Sequence, residues 1–170
     1  GLTEQEVEEL SFGAVLHDVG KLRIPDAILL KPGRLNDEEW SVVHRHPLYG
    51  EGILTRSKIP KVALHVARWH HERWDGRGYP DGLSGNEIPA AAQIVTVADV
   101  FDALTSTRPY KPAWPAAQAL DEIRDHREHQ FSPQVVDAFE ALWEEGVIQS
   151  ILASQTDGAR EHPANGIKAA

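Results

Sequence analysis

Two doublets in the chain are of residue types that bind metals: His17-Asp18 in H-D-V-G-K and His70-His71 in W-H-H-E-R-W. Six of the nine histidines, at 17, 44, 46, 65, 70 and 71, fall within the first 71 residues. Neighbours on a helix point about 100° apart, so His17 and Asp18 offer an imidazole and a carboxylate to two points of one site or to two adjacent ions. Taken alone, a helix-end His paired with its neighbour explains that doublet equally well. The context weighs the other way, because Gly20 permits an abrupt exit and Lys21 sets a cation beside the carboxylate. His70-His71 ends an apolar stretch just where a Gly-rich loop begins, and its plain alternative is a solvated helix end. His46 precedes Pro47 at a helix junction, and Asp99 lies in A-D-V-F-D-A-L on an otherwise apolar helix. Asp99 and Asp102 share a face, and a buried carboxylate demands a cation or several donors. Asp102 is read as hydrogen-bonded to a neighbouring loop rather than as a ligand, and His44, His65, His126, His129 and His162 as surface residues.

Counting ligands separates the metal hypotheses. A mononuclear catalytic ion takes about three protein ligands plus water, so His17, Asp18, His46, His70, His71 and Asp99 are a surplus for one ion and a natural supply for two, with Asp18 or Asp99 as the bridge. Two ions about 3.5 to 4 Å apart suit hydroxide attack on a phosphoryl group, which makes phosphodiester hydrolysis the leading reaction class. The chain has no Cys, which removes thiolate nucleophiles, disulfides and Cys-based zinc sites. The remaining N and O donors suit Fe, Mn or Zn without choosing among them. Arg108 and Lys111, in T-S-T-R-P-Y-K just past the Asp99 helix, could grip phosphates that metals leave unneutralised. Arg77 is read as ordinary surface charge. Tyr79 in G-Y-P has two accounts that stay open, a contact to phosphate or base and a merely packed loop aromatic.

These residues need elements to hold them, and the coarse pattern is helical throughout. Thr3 to Glu6 is a capping box, and Val7, Leu10 and Ala14 continue at helical spacing, so the first helix should run to about Asp18. A connector between Pro25 and Pro32 follows, then a helix capped by Asn36 with Glu39 in third place, and a fresh start at Pro47. Val62, Val66 and Trp69 form the stripe of a helix ending at His70, His71 and Glu72. Residues 74–89 hold four Gly and two Pro and read as a long loop of the functional kind. Further helices carry Ile94 to Leu104, Leu120 with Ile123, and Val136 to Trp143. Period-two alternation is absent, so the expected fold is all-α, a helical bundle of six to eight helices. Residues 1–155 are expected to form one domain, with residues 156–170 a flexible tail.

Composition bounds the rest. With 170 residues, 41% hydrophobic and 25% charged, the chain is an ordinary globular domain with no low-complexity segment. Its net charge of −9 argues against duplex nucleic acid as a partner. No apolar run reaches the roughly 20 residues of a membrane span, and the start lacks a signal-like apolar segment. There is no Met, so Gly1 is not read as a translation start and the chain is expected to be a piece of something longer.

Together, H-D-V-G-K, H-P-L-Y-G, H-H-E-R-W-D-G-R-G-Y-P, A-D-V-F-D-A-L and R-P-Y-K, in order from about Phe12 to Val136, resemble the HD-GYP family of the HD phosphohydrolase superfamily. The long H-H-E-R-W-D-G-R-G-Y-P string is the specific part. The resemblance implies a bacterial, cytoplasmic phosphodiesterase that hydrolyses the second messenger cyclic di-GMP to linear pGpG or on to GMP. In such proteins the domain is the output of a larger signalling protein with an upstream sensor or receiver domain, sometimes working with GGDEF-domain proteins. It implies two divalent metal ions, Fe or Mn favoured and Zn also accommodated, on His17, Asp18, His46, His70, His71 and Asp99. Lys21 would lie near the leaving group or attacking water, making Lys21, Asp18 and Asp99 the catalytic set, and Tyr79, Arg108 and Lys111 would contact the nucleotide. Family members usually carry an earlier helix that often supplies another His or Glu; this chain is expected to start after it and to coordinate the second ion less completely. The competing readings are a non-catalytic module that senses cyclic di-GMP or docks a partner, and an HD-type phosphohydrolase of another nucleotide.

Overall fold

The computed structural model describes residues 2–107 and 112–161, with side chains through Ser154. The α-helical segments among them are α1 (Glu4–Leu16), α2 (Asp26–Leu29), α3 (Asp37–Val43), α4 (His46–Leu54), α5 (Lys61–Trp69), α6 (Ala90–Thr105), α7 (Ala116–Asp125), α8 (Pro133–Glu144) and α9 (Val147–Glu161). Only α2 is a single turn, and short 3₁₀ turns fill Val19–Arg23 and Gly85–Glu87. No strand forms among the described residues, so the all-α expectation holds. No described helix is long and apolar enough to cross a membrane.

Local chemistry accounts for the starts. Thr3 Oγ1 accepts from Glu6 N while Glu6 reaches back to Thr3 N at 2.8 Å. Asn36 and Glu39 repeat the device at α3, at 2.8 and 2.9 Å. Pro47 occupies the first turn of α4, where its missing N–H costs nothing.

The chain divides into two compact units, Gly1–Val136 and Asp137–Ala170. In the first, α1 packs on α5, α4 packs on both α5 and the Val19–Arg23 turn, and α6 packs on α5 and α7. Val66, Ala67, Val97, Leu120, Ile123 and Phe131 are buried at its centre, and each of the larger side chains contributes about 1.5–3 kcal/mol by leaving water. The stripe read on α1 is less buried than its pattern suggests. Val7 is exposed, Leu10 and Ala14 are half-buried, and the buried residue is Gly13. The reason is close approach: a Cβ on Gly13 would lie 3.1 Å from Ala63 Cα. In the second unit α9 follows Gly146, which takes φ 77° after Glu145 and donates to Trp143 O at 3.0 Å.

Candidate metal centre

Three helices end at one place. α1 ends at His17, α3 ends at His44 just before His46, and α5 ends at His70. His17 Nδ1 donates to Ala14 O at 2.6 Å, His46 Nδ1 to Val43 O at 2.8 Å and His70 Nδ1 to Val66 O at 2.9 Å. A carbonyl can only accept, so each ring is fixed with its Nε2 turned inward. His46 Nε2 and His70 Nε2 then face one another at 3.4 Å. Asp18 Oδ1 lies 3.3 Å from His46 Nε2 and 3.8 Å from His70 Nε2, and it is buried without a hydrogen-bond partner. With His71, these residues bring four ligand atoms within 4.8 Å of one another. Acceptors converging with no proton between them fit a cation, and the donor set of three imidazoles and one carboxylate fits a divalent metal.

The other two sequence-read ligands form an edge of the same cluster. His17 Nε2 lies 3.3 Å from Asp18 Oδ2 and 3.8 Å from Asp99 Oδ1. Asp18 therefore turns Oδ1 to His46 and His70 and Oδ2 to His17. Lys21 Nζ also meets Asp18 Oδ2, at 2.5 Å. Burial opposes the charge on Asp18, but the His17 ring and the Lys21 ammonium hold its carboxyl well below the usual carboxylate range. Asp18 in turn raises the His17 imidazole. Burial lowers His46 to about 4 and His71 to about 2, so both stay neutral, with free lone pairs, at neutral pH.

Two glycines permit this assembly. A Cβ on Gly20 would lie 1.9 Å from His46 O and 2.5 Å from Gly50 N, so the turn carrying Asp18 rests directly on the backbone of α4. A Cβ on Gly78 would lie 2.4 Å from Arg73 N and 2.5 Å from Glu72 Cα. The Gly-rich loop thus doubles back over the end of α5 and lays Tyr79 on His71, ring centroids 4.8 Å apart. Burial raises the Tyr79 phenol and keeps it protonated. Tyr79, His70, His71, Arg73, Asp99 and Gln130 line a cleft of about 310 Å³.

Sequence reasoning missed several supporting residues. Glu72 is buried, and its Oε1 accepts from Asp81 N at 2.7 Å and Gly82 N at 3.1 Å, pinning the loop beyond Tyr79. Arg73 holds Asp75 with two bonds and Gln130 Oε1 at 3.1 Å. Thr96 Oγ1 lies 2.7 Å from His70 O; the one signal for it was a polar residue three before Asp99 in an apolar run. His44 is exposed as expected but not idle, since its ring stacks on Tyr79 at 4.1 Å. His65 is half-buried rather than on the surface, against Trp69. Asp102 accepts from Ser106 Oγ at 3.1 Å and is exposed, apart from the cluster. Arg108 and Lys111 lie outside the described residues.

Known proteins can be set beside this geometry. An HD domain profile matches residues 1–135. The cyclic di-GMP phosphodiesterase response regulator RpfG of Xanthomonas campestris is 51% identical over 140 residues, which make up 81% of this chain and 37% of that protein. The 3'3'-cGAMP-specific phosphodiesterase 2 of Vibrio cholerae is 43% identical over 159 residues, 92% of this chain and 30% of that protein. The chain spans about a third of the length of these curated relatives. Among solved structures, a cyclic GMP-AMP-specific phosphodiesterase of V. cholerae shares the fold with a TM-score of 0.65 at 20% identity, over 84% of this chain and 39% of that one.

Proposed function

The chain belongs to the HD domain family, in the HD-GYP group whose motifs it carries, and on that premise we propose that it is a metal-dependent phosphodiesterase hydrolysing cyclic di-GMP to linear pGpG, GMP or both. The observation that carries this reading is the meeting of His46 Nε2, His70 Nε2 and Asp18 Oδ1 with no donor between them. Two observations support this substrate: the activities of the relatives named above and a cleft of about 310 Å³ that opens beside the cluster. The domain would act in the cytoplasm as the output of a larger signalling protein, downstream of a sensor or receiver domain and alongside GGDEF-domain proteins.

Two divalent ions, Fe or Mn in preference to Zn, held by His17, Asp18, His46, His70, His71 and Asp99 would supply an activated water and neutralise charge on the reacting phosphate. Asp18 suits the bridging role, since its two oxygens face different sets of ligands. His46 and His71 bind without first losing a proton, because burial already keeps them neutral. Lys21, tied to Asp18 and 38% exposed, stands at the mouth of the cluster with protons to offer the departing oxygen. The protonated Tyr79 hydroxyl donates to a phosphate oxygen, and Arg108 and Lys111 hold the second phosphate by charge.

The test is product analysis. Protein loaded anaerobically with Fe(II) or Mn(II) is incubated with cyclic di-GMP, 3'3'-cGAMP, pGpG and a plain nucleoside monophosphate, and the products are separated by chromatography. The expected result is pGpG or GMP from cyclic di-GMP. Cleavage confined to 3'3'-cGAMP would move the substrate, and binding without cleavage would make the protein a sensor.

A further inference from the structure

A line of rings leads from the metal cluster to the surface. Tyr79 lies on His71 with ring planes 23° apart, and His44 lies on Tyr79 at 24°. Trp40, one turn earlier on α3, is 5.5 Å from His44 and tilted by 43°. Trp40 is 46% exposed, an unusual outlay of apolar surface for a side chain with no place in the core. It also walls a groove of about 650 Å³, shared with Ile28, Leu29, Leu35, Arg34 and Asp37.

The groove is rigidly built. Lys31 Nζ binds both oxygens of Glu39, at 2.8 and 2.7 Å, and Glu39 closes the capping box with Asn36. The stretch from Lys31 to Glu39 is thereby fixed at both ends, and Lys31 is spoken for. Arg34, by contrast, is exposed and has no ion pair among the described residues.

Resting on the phosphodiesterase reading above, we propose that this groove is the guanine-binding subsite of the same substrate, with Trp40 stacking on the base and Arg34 and Asp37 reading its edge. A phosphate at the metal cluster leaves its base one sugar away, and the groove lies two ring contacts out from Tyr79, which lines the cleft. Arg34 can donate twice, to guanine O6 and N7. Asp37 can accept from guanine N1–H and the exocyclic N2 amine. Adenine offers an acceptor at N1 and no amine at C2, so the same carboxylate repels it. The pair therefore favours guanine over adenine by one attraction and one repulsion.

The test is equilibrium binding of cyclic di-GMP, 3'3'-cGAMP and cyclic di-AMP by calorimetry under chelation, with kcat/KM measured in parallel on metal-loaded protein. Trp40→Ala should weaken cyclic di-GMP by about 5- to 150-fold, the range for losing one base–aromatic stack, while Trp40→Phe keeps most of the affinity. Arg34→Ala and Asp37→Asn should each cut the preference for cyclic di-GMP over cyclic di-AMP by about tenfold or more. These positions are exposed, so helical content should be unchanged by circular dichroism. If the wild-type protein binds and cleaves but all four variants match it within about twofold, the groove assignment is wrong and the phosphodiesterase reading stands. If the wild-type protein neither binds nor cleaves any cyclic dinucleotide, both are overturned.

Discussion

A single methyl group at Gly20 should dismantle the metal centre without touching a ligand. The Cβ of Gly20→Ala would stand 1.9 Å from His46 O, 2.5 Å from Gly50 N and 2.8 Å from His46 C. All three are backbone atoms of α4, so no rotamer change relieves the collision. Reaching an ordinary contact of about 3.4 Å from 1.9 Å parts the turn from the helix by about 1.5 Å. Asp18 rides on that turn, and its Oδ1 now lies 3.3 Å from His46 Nε2. Metal–ligand distances tolerate about 0.2 Å, so the displacement exceeds the tolerance several-fold. Overpacking costs about 1–3 kcal/mol, and a collision with backbone belongs at the upper end. At about 2–4 °C per kcal/mol for a chain of this size, Tm should fall by about 6–12 °C. Gly52→Ala on the same helix is the control. A Cβ there meets nothing within 4 Å, and the gain in helix propensity is about 0.5–1 kcal/mol. Thermal melts with and without chelator, together with elemental analysis, read both effects. A Gly20→Ala protein that melts within about 2 °C of wild type and keeps its full metal content would refute the close-approach account.

The remaining perturbations probe ionisation, the loop and the division of roles. For the metal-free protein, acid should destabilise: an unfolded His takes its proton near 6.5, whereas His46 and His71 wait until about 4 and 2. The unfolded chain therefore holds more protons below about pH 6.5, and at pH 5 each ring costs about 2 kcal/mol of stability. Asp18, depressed when folded, adds a further loss below about pH 4. His17, raised by Asp18, offsets part of this, because its contribution is full below its unfolded pKa and fades as pH rises through its folded one. Urea midpoints at pH 7.5, 6 and 5 under chelation should fall in that order, and a flat series would sink the argument. Glu72→Ala leaves Asp81 N and Gly82 N without their acceptor and should cost about 1–3 kcal/mol for each; Glu72→Gln keeps an acceptor and should melt near wild type. Asp99→Ala should abolish turnover, while Arg108→Ala and Lys111→Ala should raise KM more than they lower kcat. Equal kinetic behaviour in the two groups would contradict the split between metal holding and substrate holding.

The legible part of this molecule is the part set by neighbours in sequence. Thr3 with Glu6 and Asn36 with Glu39 form the capping boxes their spacing announces. The six residues read as ligands come together because each stands at a helix end or on a helix face that local pattern could place. What the pattern could not carry is contact between distant segments. Glu72 looks like the charged end of α5, yet its carboxylate is buried by a loop arriving nine residues later. Asp81, which reads as a turn residue, receives both Arg68 and the indole N–H of Trp69. Gly78 looks like one flexible residue among several, although it is the point where the loop crosses backbone. His44 falls off the ligand face and gains its role only when that crossing delivers Tyr79 to it.

The helix ends themselves explain why this place wants a cation. The last four carbonyls of a helix lack internal partners, and the aligned peptides leave about half a negative charge there. α1, α3 and α5 bring three such ends together, and in each case an imidazole spends its Nδ1 proton on a terminal carbonyl. The cap and the ligand are thus one side chain: the Nδ1 bond to the carbonyl, which at Val66 is shared with the backbone N–H of His70, is what aims Nε2 at the cluster. His126 shows that the cap alone is not enough. Its Nδ1 meets Glu122 O at 2.9 Å at the end of α7, and the ring also lies 3.6 Å from the Glu122 carboxylate, but it stands apart from the ligand group. At the cluster, the negative ends of three helices, two carboxylates and the facing Nε2 atoms share one space, with Lys21 as the nearest fixed positive charge. Burial keeps His46 and His71 from supplying protons of their own. A divalent ion is the species that answers all of these at once, and because the unfolded chain offers no such convergence, its binding energy adds directly to the stability of the fold.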